Sequence, residues 1–256
     1  KVFNEIANLA IIPEFDLKTF RPMEDIADIE TVAATRATVC IATSKKVKDE
    51  LEEMGVPKEK ISIIHNAIED YWFEPQRTIE IKEPHLVFLG RLGNDVFTLK
   101  LKGFSRLVNF YRAFPNIPKT TICMTTNRKL KEWLKVSFPK HYMYVNLRKD
   151  LIPSALAPLF GSILFLSSRY EGFSLSLIEG MSQGLVPISF SVGVAPEIIQ
   201  NGENGFIVST EKEAEECAQE LLSNNEKRLY MATKAKQTAE KFRSTNIATK
   251  LIELYR

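Results

Sequence analysis

The sequence predicts an α/β protein: parallel sheets with helices on both faces, in two domains of which the first is expected to be incomplete. Three observations carry this. Short aliphatic or β-branched runs alternate with helical patterns along most of the 256 residues, which is how a helix-covered parallel sheet is written in sequence. A proline-bearing connector, "AIEDYWFEPQRTIEIKEP" (residues 67–84), interrupts the alternation without a helical period of its own. Only 66 residues precede that connector, whereas a doubly wound domain takes on the order of 100 or more. The chain is therefore expected to be a fragment or to have an unusually small first lobe.

Before the connector, "TVCIATS" reads as a strand, "KKVKDELEEMG" as a helix with Glu/Lys pairs and a glycine stop, and "KISIIHN" as the next strand. After it, strand "HLVFLG" leads to helix "GFSRLVNFYRAFP", strand "TTICMTT", helix "RKLKEWLKVSF", strand "HYMYVNL" and a short helical piece around "IPSALAPLFG". Strand "SILFLSS", helix "LSLIEGMSQG", strand "LVPISF", helix "APEIIQNG" and strand "GFIVS" follow. Two longer helical patterns close the chain, residues 211–224 and 225–256. The pairs Asn201-Gly202 and Asn204-Gly205 read as turns. The expected division is a first Rossmann-like domain over residues 1–66, the connector over 67–84, a second domain over 85–240, and a terminal helix over 241–256 that crosses back to the first.

Composition narrows the function classes. Hydrophobic residues make up 45% and charged residues 26%, which excludes wholesale disorder and collagen-like repeats. A formal net charge of +2 gives no general reason to expect nucleic acid, so any anion site must be local. Cys40, Cys123 and Cys217 are odd in number and widely spaced, which favours reduced thiols in a cytoplasmic setting over a disulfide framework. No apolar run approaches the ~18 residues of a membrane span; peripheral contact with the inner face of a membrane stays open.

The most informative stretch is "RYEGFSLSLIEGMSQG", residues 169–184, between two buried-strand patterns. In open α/β sheets ligands sit beyond the carboxyl ends of the strands, where this loop is expected. Gly172 permits close backbone approach, Ser174 is placed to cap the following helix, and the first amides of that helix are free for an anion such as phosphate. Glu171 precedes the helix and Glu179 lies inside it, too far apart locally for a tight acid pair. They are expected to meet different parts of one extended ligand, since a carboxylate accepts hydrogen bonds from vicinal hydroxyls. The bland alternative is a loop charge and a solvated helix residue.

With these residues in view, the chain resembles the retaining family 4 glycosyltransferases of GT-B architecture, whose signature E-x7-E is matched by Glu171 and Glu179. "LVFLGRL" with Arg91, "LKGFSRLV" with Lys102, and "APEIIQNGENGFIV" stand in the order and approximate spacing of that family's nucleotide-sugar-binding domain. "ATVCIATSKKVKDELEEMGVPKEKISIIHNAIE" is similar to the end of its acceptor domain, so the resemblance runs from residue 28 to the C-terminus. It implies that Arg91 and Lys102 bind the donor diphosphate and that Glu171 contacts the donor sugar near its reacting carbon. It implies further that Glu179 holds the ribose hydroxyls and that the amides of Gly172, Phe173, Ser174 and Leu175 cradle phosphate and sugar. Glu197 would lie in a loop near the donor or serve as a surface or capping charge. Thr125, Thr126 and Arg148 are candidates to line the base site.

The resemblance implies transfer of a sugar, a hexose being the expectation, from a nucleoside diphosphate sugar to a glycan, lipid-linked or protein acceptor. A UDP-sugar is the leading donor, with no cofactor and no metal, and nucleic acid is not an expected partner. Two cations with helix amides can stabilise the diphosphate leaving group. His65, His85 and His141 are too dispersed to read as a metal motif, and no nucleophile elbow is present. A noncatalytic nucleotide-sugar-binding or scaffolding lobe is the alternative. A dinucleotide-dependent oxidoreductase shares the fold class, but no G-x-G-x-x-G follows an early strand.

Overall fold

A computed structural model of the protein describes residues 5–6, 9, 24–76, 83–93 and 95–255. Residues 77–82 of the expected connector, and all but a few of residues 1–23, lie outside them. The described chain is α/β, with two parallel sheets. The smaller pairs β1 (Cys40–Ala42) with β2 (Ile61–Ile63), in register Ile41 to Ser62. The larger has six strands in the order β5-β4-β3-β6-β7-β8. These are β3 (Leu86–Arg91), β4 (Lys119–Met124), β5 (His141–Val145), β6 (Ile163–Leu166), β7 (Val186–Phe190) and β8 (Phe206–Val208). Order reverses between β3 and β6, and a crevice at such a reversal is where α/β sheets hold ligands.

Helices cover both faces because the inner strands carry apolar residues on both sides. Along β3, Leu86 and Phe88 enter one core with Phe104, Leu107 and Leu134, while Val87 and Leu89 enter a second with Trp72, Leu177 and Met181. A period of two in the strand thus serves two helical layers. The first layer holds α4 (Phe104–Ala113), α5 (Arg128–Ser137) and α9 (Glu211–Ser223). The second holds α6 (Ile152–Leu156), α7 (Leu175–Ser182) and α10 (Asn225–Ala239).

Two helices were not among the sequence expectations: α1 (Glu24–Arg36), and α3 (Val96–Leu101), which starts where the Thr98 amide donates to Asp95 Oδ1 at 2.7 Å. Near the first sheet, α2 (Lys45–Glu53) is capped by Ser44. Two predicted helices are shorter than their patterns. The "APEIIQNG" pattern stops as α8 (Ala195–Ile198) because buried Asn204 takes its polar groups: Asn204 Nδ2 donates to the Ile198 carbonyl at 2.9 Å and Oδ1 accepts from the Gln200 amide at 2.7 Å. The pattern over residues 225–256 breaks into α10, a 3-10 turn (Glu240–Phe242) and α11 (Ser244–Leu254), with Arg243 extended at φ −57°, ψ 143°. The break has a cause in the connector: the Ile68 amide donates to the Phe242 carbonyl at 3.0 Å, and Ile68 pairs with Arg243 as an isolated parallel bridge.

Candidate functional site

A cavity of about 640 Å³ opens beyond the carboxyl ends of β3 and β4, beside the point where strand order reverses. Its size is that of a small-molecule site. Of the residues singled out in the sequence, it brings together Arg91, Lys102, Glu171, Phe173, Ser174, Leu175 and Glu179. Arg91 is the last residue of β3 and is exposed at the mouth. Lys102 ends α3, and its place is set by the loop after β6. The Ser167 hydroxyl donates to the Lys102 carbonyl at 2.7 Å, and the Arg169 amide donates to the Leu101 carbonyl at 2.8 Å. Gly103, at φ 63°, makes this junction possible, since a Cβ there would stand 1.8 Å from the Ser167 carbonyl oxygen.

The ammonium so placed meets Glu171: Lys102 Nζ donates to Glu171 Oε1 at 2.6 Å, and the Ser168 hydroxyl donates to the same oxygen at 2.7 Å. Both side chains are largely buried. Glu179 stands deeper, 8% exposed, on a helix whose Leu177, Ile178 and Met181 are fully enclosed. Among the described residues no group donates a hydrogen bond to its carboxylate. Burial pushes the Glu179 carboxyl up to about 7, Lys149 pulls it back down, and Glu69 pushes it up further. A buried acid in this condition is expected to be expensive unless a ligand supplies its donors.

Three expectations are corrected, and for Glu197 one of two alternatives is selected. Ser174 does not cap α7 with its side chain. It sits at φ 87°, ψ 80°, in the left-handed region, with Oγ 3.4 Å from Ser176 Oγ. Gly172 does not line the cavity but turns to the first sheet, where its carbonyl accepts from Ser44 Oγ at 2.6 Å. Glu197, for which a place near the donor and a capping role were both expected, takes the capping one, at the start of α2 and away from this cavity. Its carboxylate accepts from the Lys45 amide at 2.7 Å and lies 3.2 Å from His65 Nε2, on a separate hollow of about 510 Å³. Thr125, Thr126 and Arg148 are absent from the cavity wall. Thr125 exchanges two backbone hydrogen bonds with the Asn146 carboxamide, at 3.0 and 2.9 Å, and Arg148 folds onto Asp150 in solvent.

In their place the wall on the β4 and β5 side is built from Cys123, Met124, Leu147, Lys149 and Ile152, and Asn66 reaches in from the first sheet. Lys149 Nζ is 2.7 Å from Glu69 Oε1. No sequence signal distinguished Lys149 from its neighbour Arg148: which of two adjacent cations turns inward depends on the backbone where Arg148 precedes and Lys149 opens a 3-10 turn.

Comparison with known proteins agrees with this architecture. The family described as "Glycosyl transferases group 1" matches residues 76–238. Among curated relatives, N-acetyl-alpha-D-glucosaminyl L-malate synthase of Bacillus anthracis is 23% identical over 240 residues, covering 86% of this chain and 60% of that protein. An uncharacterised 41.2 kDa protein of the Klebsiella pneumoniae cps region is 22% identical over 241 residues, covering 89% and 64%. The chain thus spans about three-fifths of the length of these relatives. Sucrose-phosphate synthase of Thermosynechococcus elongatus superposes with a TM-score of 0.75 at 19% identity, covering 91% of this chain and 61% of that one. Anabaena HepE, solved in complex with UDP-glucose, gives 0.72 at 18%, covering 91% and 67%. These likenesses show a GT-B fold. With well over half of its length matched, the chain belongs to the glycosyl transferases group 1 family.

Proposed function

We propose that this chain carries the donor-binding part of a retaining glycosyltransferase. It would transfer a sugar, a hexose in our reading, from a nucleoside diphosphate sugar, with UDP the leading nucleotide, to a glycan, lipid-linked or protein acceptor. The observation that carries the reading is Glu179: a buried carboxylate without a hydrogen-bond donor among the described residues, on the wall of a cavity that also holds Arg91 and Lys102. A ribose supplies two adjacent hydroxyls to such a group, and a diphosphate supplies the negative charge that the two cations await. Met124, Leu147 and Ile152 give the base an apolar wall. The complexes of HepE with UDP-glucose and of Staphylococcus aureus TarM with UDP support a uridine nucleotide.

In this reading the donor diphosphate lies between Arg91, Lys102 and the tip of α7, and it draws Lys102 away from Glu171. The carbon–oxygen bond to the diphosphate lengthens, the cations take up the growing charge, and Glu171 faces the positive charge at the anomeric carbon. The acceptor hydroxyl attacks from the face the diphosphate leaves, and a phosphate oxygen takes its proton. Neither a metal nor a protein base is assigned a step. Residues 85–240 would hold the donor, and the sheet of β1 and β2 would belong to the acceptor side. A cytoplasmic protein with peripheral contact at the inner face of a membrane is part of the same reading; no described helix is long and apolar enough to cross one.

The test is a binding and transfer screen over UDP-, GDP- and ADP-sugars with wild type, Glu171→Ala and Lys102→Ala, with circular dichroism to confirm the fold. Each substitution is expected to lower turnover by about a hundredfold or more. Full turnover in both variants removes the assignment, and donor binding without turnover in any protein leaves a binding lobe.

A further inference from the structure

The ion pair between Lys149 and Glu69 is half exposed, 49% and 46% at the two side chains, and an exposed pair of this kind adds little stability. Its position is the point of interest. Glu69 follows Ile68, where the connector is pinned to Arg243, while Lys149 lines the cavity and acts electrostatically on Glu179. One ammonium therefore acts on two carboxylates from different elements, one by direct contact and one across the cavity they both line, and the buried one has no hydrogen-bond donor among the described residues.

We propose that Lys149 is a positioning residue for the donor, holding Glu179 as the ionised carboxylate that accepts both hydroxyls of a vicinal diol, with Glu69 as its competitor for that ammonium. This rests on the reading of Glu179 given above. A protonated carboxyl presents one donor and loses an acceptor, so a diol binds it less well. The charged and titratable groups around Glu179 are Glu69 and Tyr71 from the connector and Lys149 from the turn after β5. Across the cavity stand Arg91, Lys102 and Glu171. Because burial brings the carboxyl to about 7, near-neutral pH is where a neighbouring charge most changes the fraction ionised.

Two substitutions that break the same ion pair then act in opposite directions. Lys149→Gln removes the charge that favours ionisation, whereas Glu69→Gln removes the charge that opposes it and frees the ammonium. If Lys149 only tethers the connector, the two variants must behave alike. The measurement is calorimetric titration of UDP-glucose from pH 6 to 9 on wild type, Lys149→Gln, Lys149→Arg, Glu69→Gln and Glu179→Gln. Wild-type affinity is expected to fall as pH drops through about 7, the value to which the free carboxyl is raised. Lys149→Gln should bind about three- to tenfold more weakly than wild type at pH 6.5 and nearly equally at pH 9. Lys149→Arg should follow wild type, and Glu69→Gln should bind at least as tightly at pH 6.5. Equal weakening of Lys149→Gln and Glu69→Gln at every pH, or a Lys149→Gln profile identical to wild type, overturns the role of Lys149 alone. Wild-type binding by Glu179→Gln instead overturns the donor-site reading beneath it.

Discussion

Glu179 shows how one side chain trades stability for a site. Its folded carboxyl is raised from an ordinary 4.5 to about 7, chiefly by burial, so between those values the folded chain keeps a proton that the unfolded chain has released. The stability this contributes is fully present below 4.5 and is lost as pH rises through about 7. Glu179→Gln is therefore expected to raise the melting temperature at pH 8 by about 2–6 °C while weakening UDP-glucose binding, with calorimetry reading both. The family resemblance singled out Glu171, Glu179, Arg91 and Lys102, whose local patterns alone are those of ordinary charges, and the cavity brings all four together. Lys149 and Asn66 were not singled out, and Thr125 was wrongly chosen, because an Asn146 carboxamide twenty-one residues away claims the Thr125 backbone. Such a capture is a tertiary event with no local signature.

The elements were legible where their patterns were long, and their ends were not. Strands β3 to β8 all fall within their predicted segments, give or take a residue, since β-branched runs bounded by turns are read locally. The truncation of the last helical pattern at Phe242 required knowing that Ile68, remote in sequence, would take its carbonyl. The junction of α3 and α4 is the element on which the site most depends, because Lys102 is held there against the loop after β6. Gly103→Ala would place a methyl group 1.8 Å from the Ser167 carbonyl at a positive φ. A loss of about 2–4 kcal/mol in urea denaturation is expected, with weaker donor binding as Lys102 is displaced.

At the scale of the molecule, polar contacts from α2 and its cap join the two sheets, beside the packing of His65 on Phe173 and Phe242. Ser44 Oγ donates to the Gly172 carbonyl, the Lys45 amide donates to Glu197, and the Tyr170 hydroxyl donates to Glu50 at 2.8 Å. Gly172, expected at the donor site, and Glu197, expected either near the donor or as a surface or capping charge, thus join the sheets. The helix N-terminus favours the Glu197 carboxylate through its unpaired amides. Glu197→Ala is expected to let the two sheets separate, seen as a larger radius of gyration in small-angle scattering, while UDP-glucose affinity changes little because the cavity wall does not include it. Unchanged dimensions would show that these contacts do not hold the halves together.

Ile68, in the connector after the first sheet, is stitched to Arg243, just before the last helix. Any swing of one half on the other is thereby given an axle close to that stitch, and displacement grows with distance from it. In such a swing Glu69, one residue away, would move least and Ser44, farther along the chain, would move more. A covalent staple between positions 68 and 243 should leave the swing free, whereas one between positions 44 and 172 should freeze it.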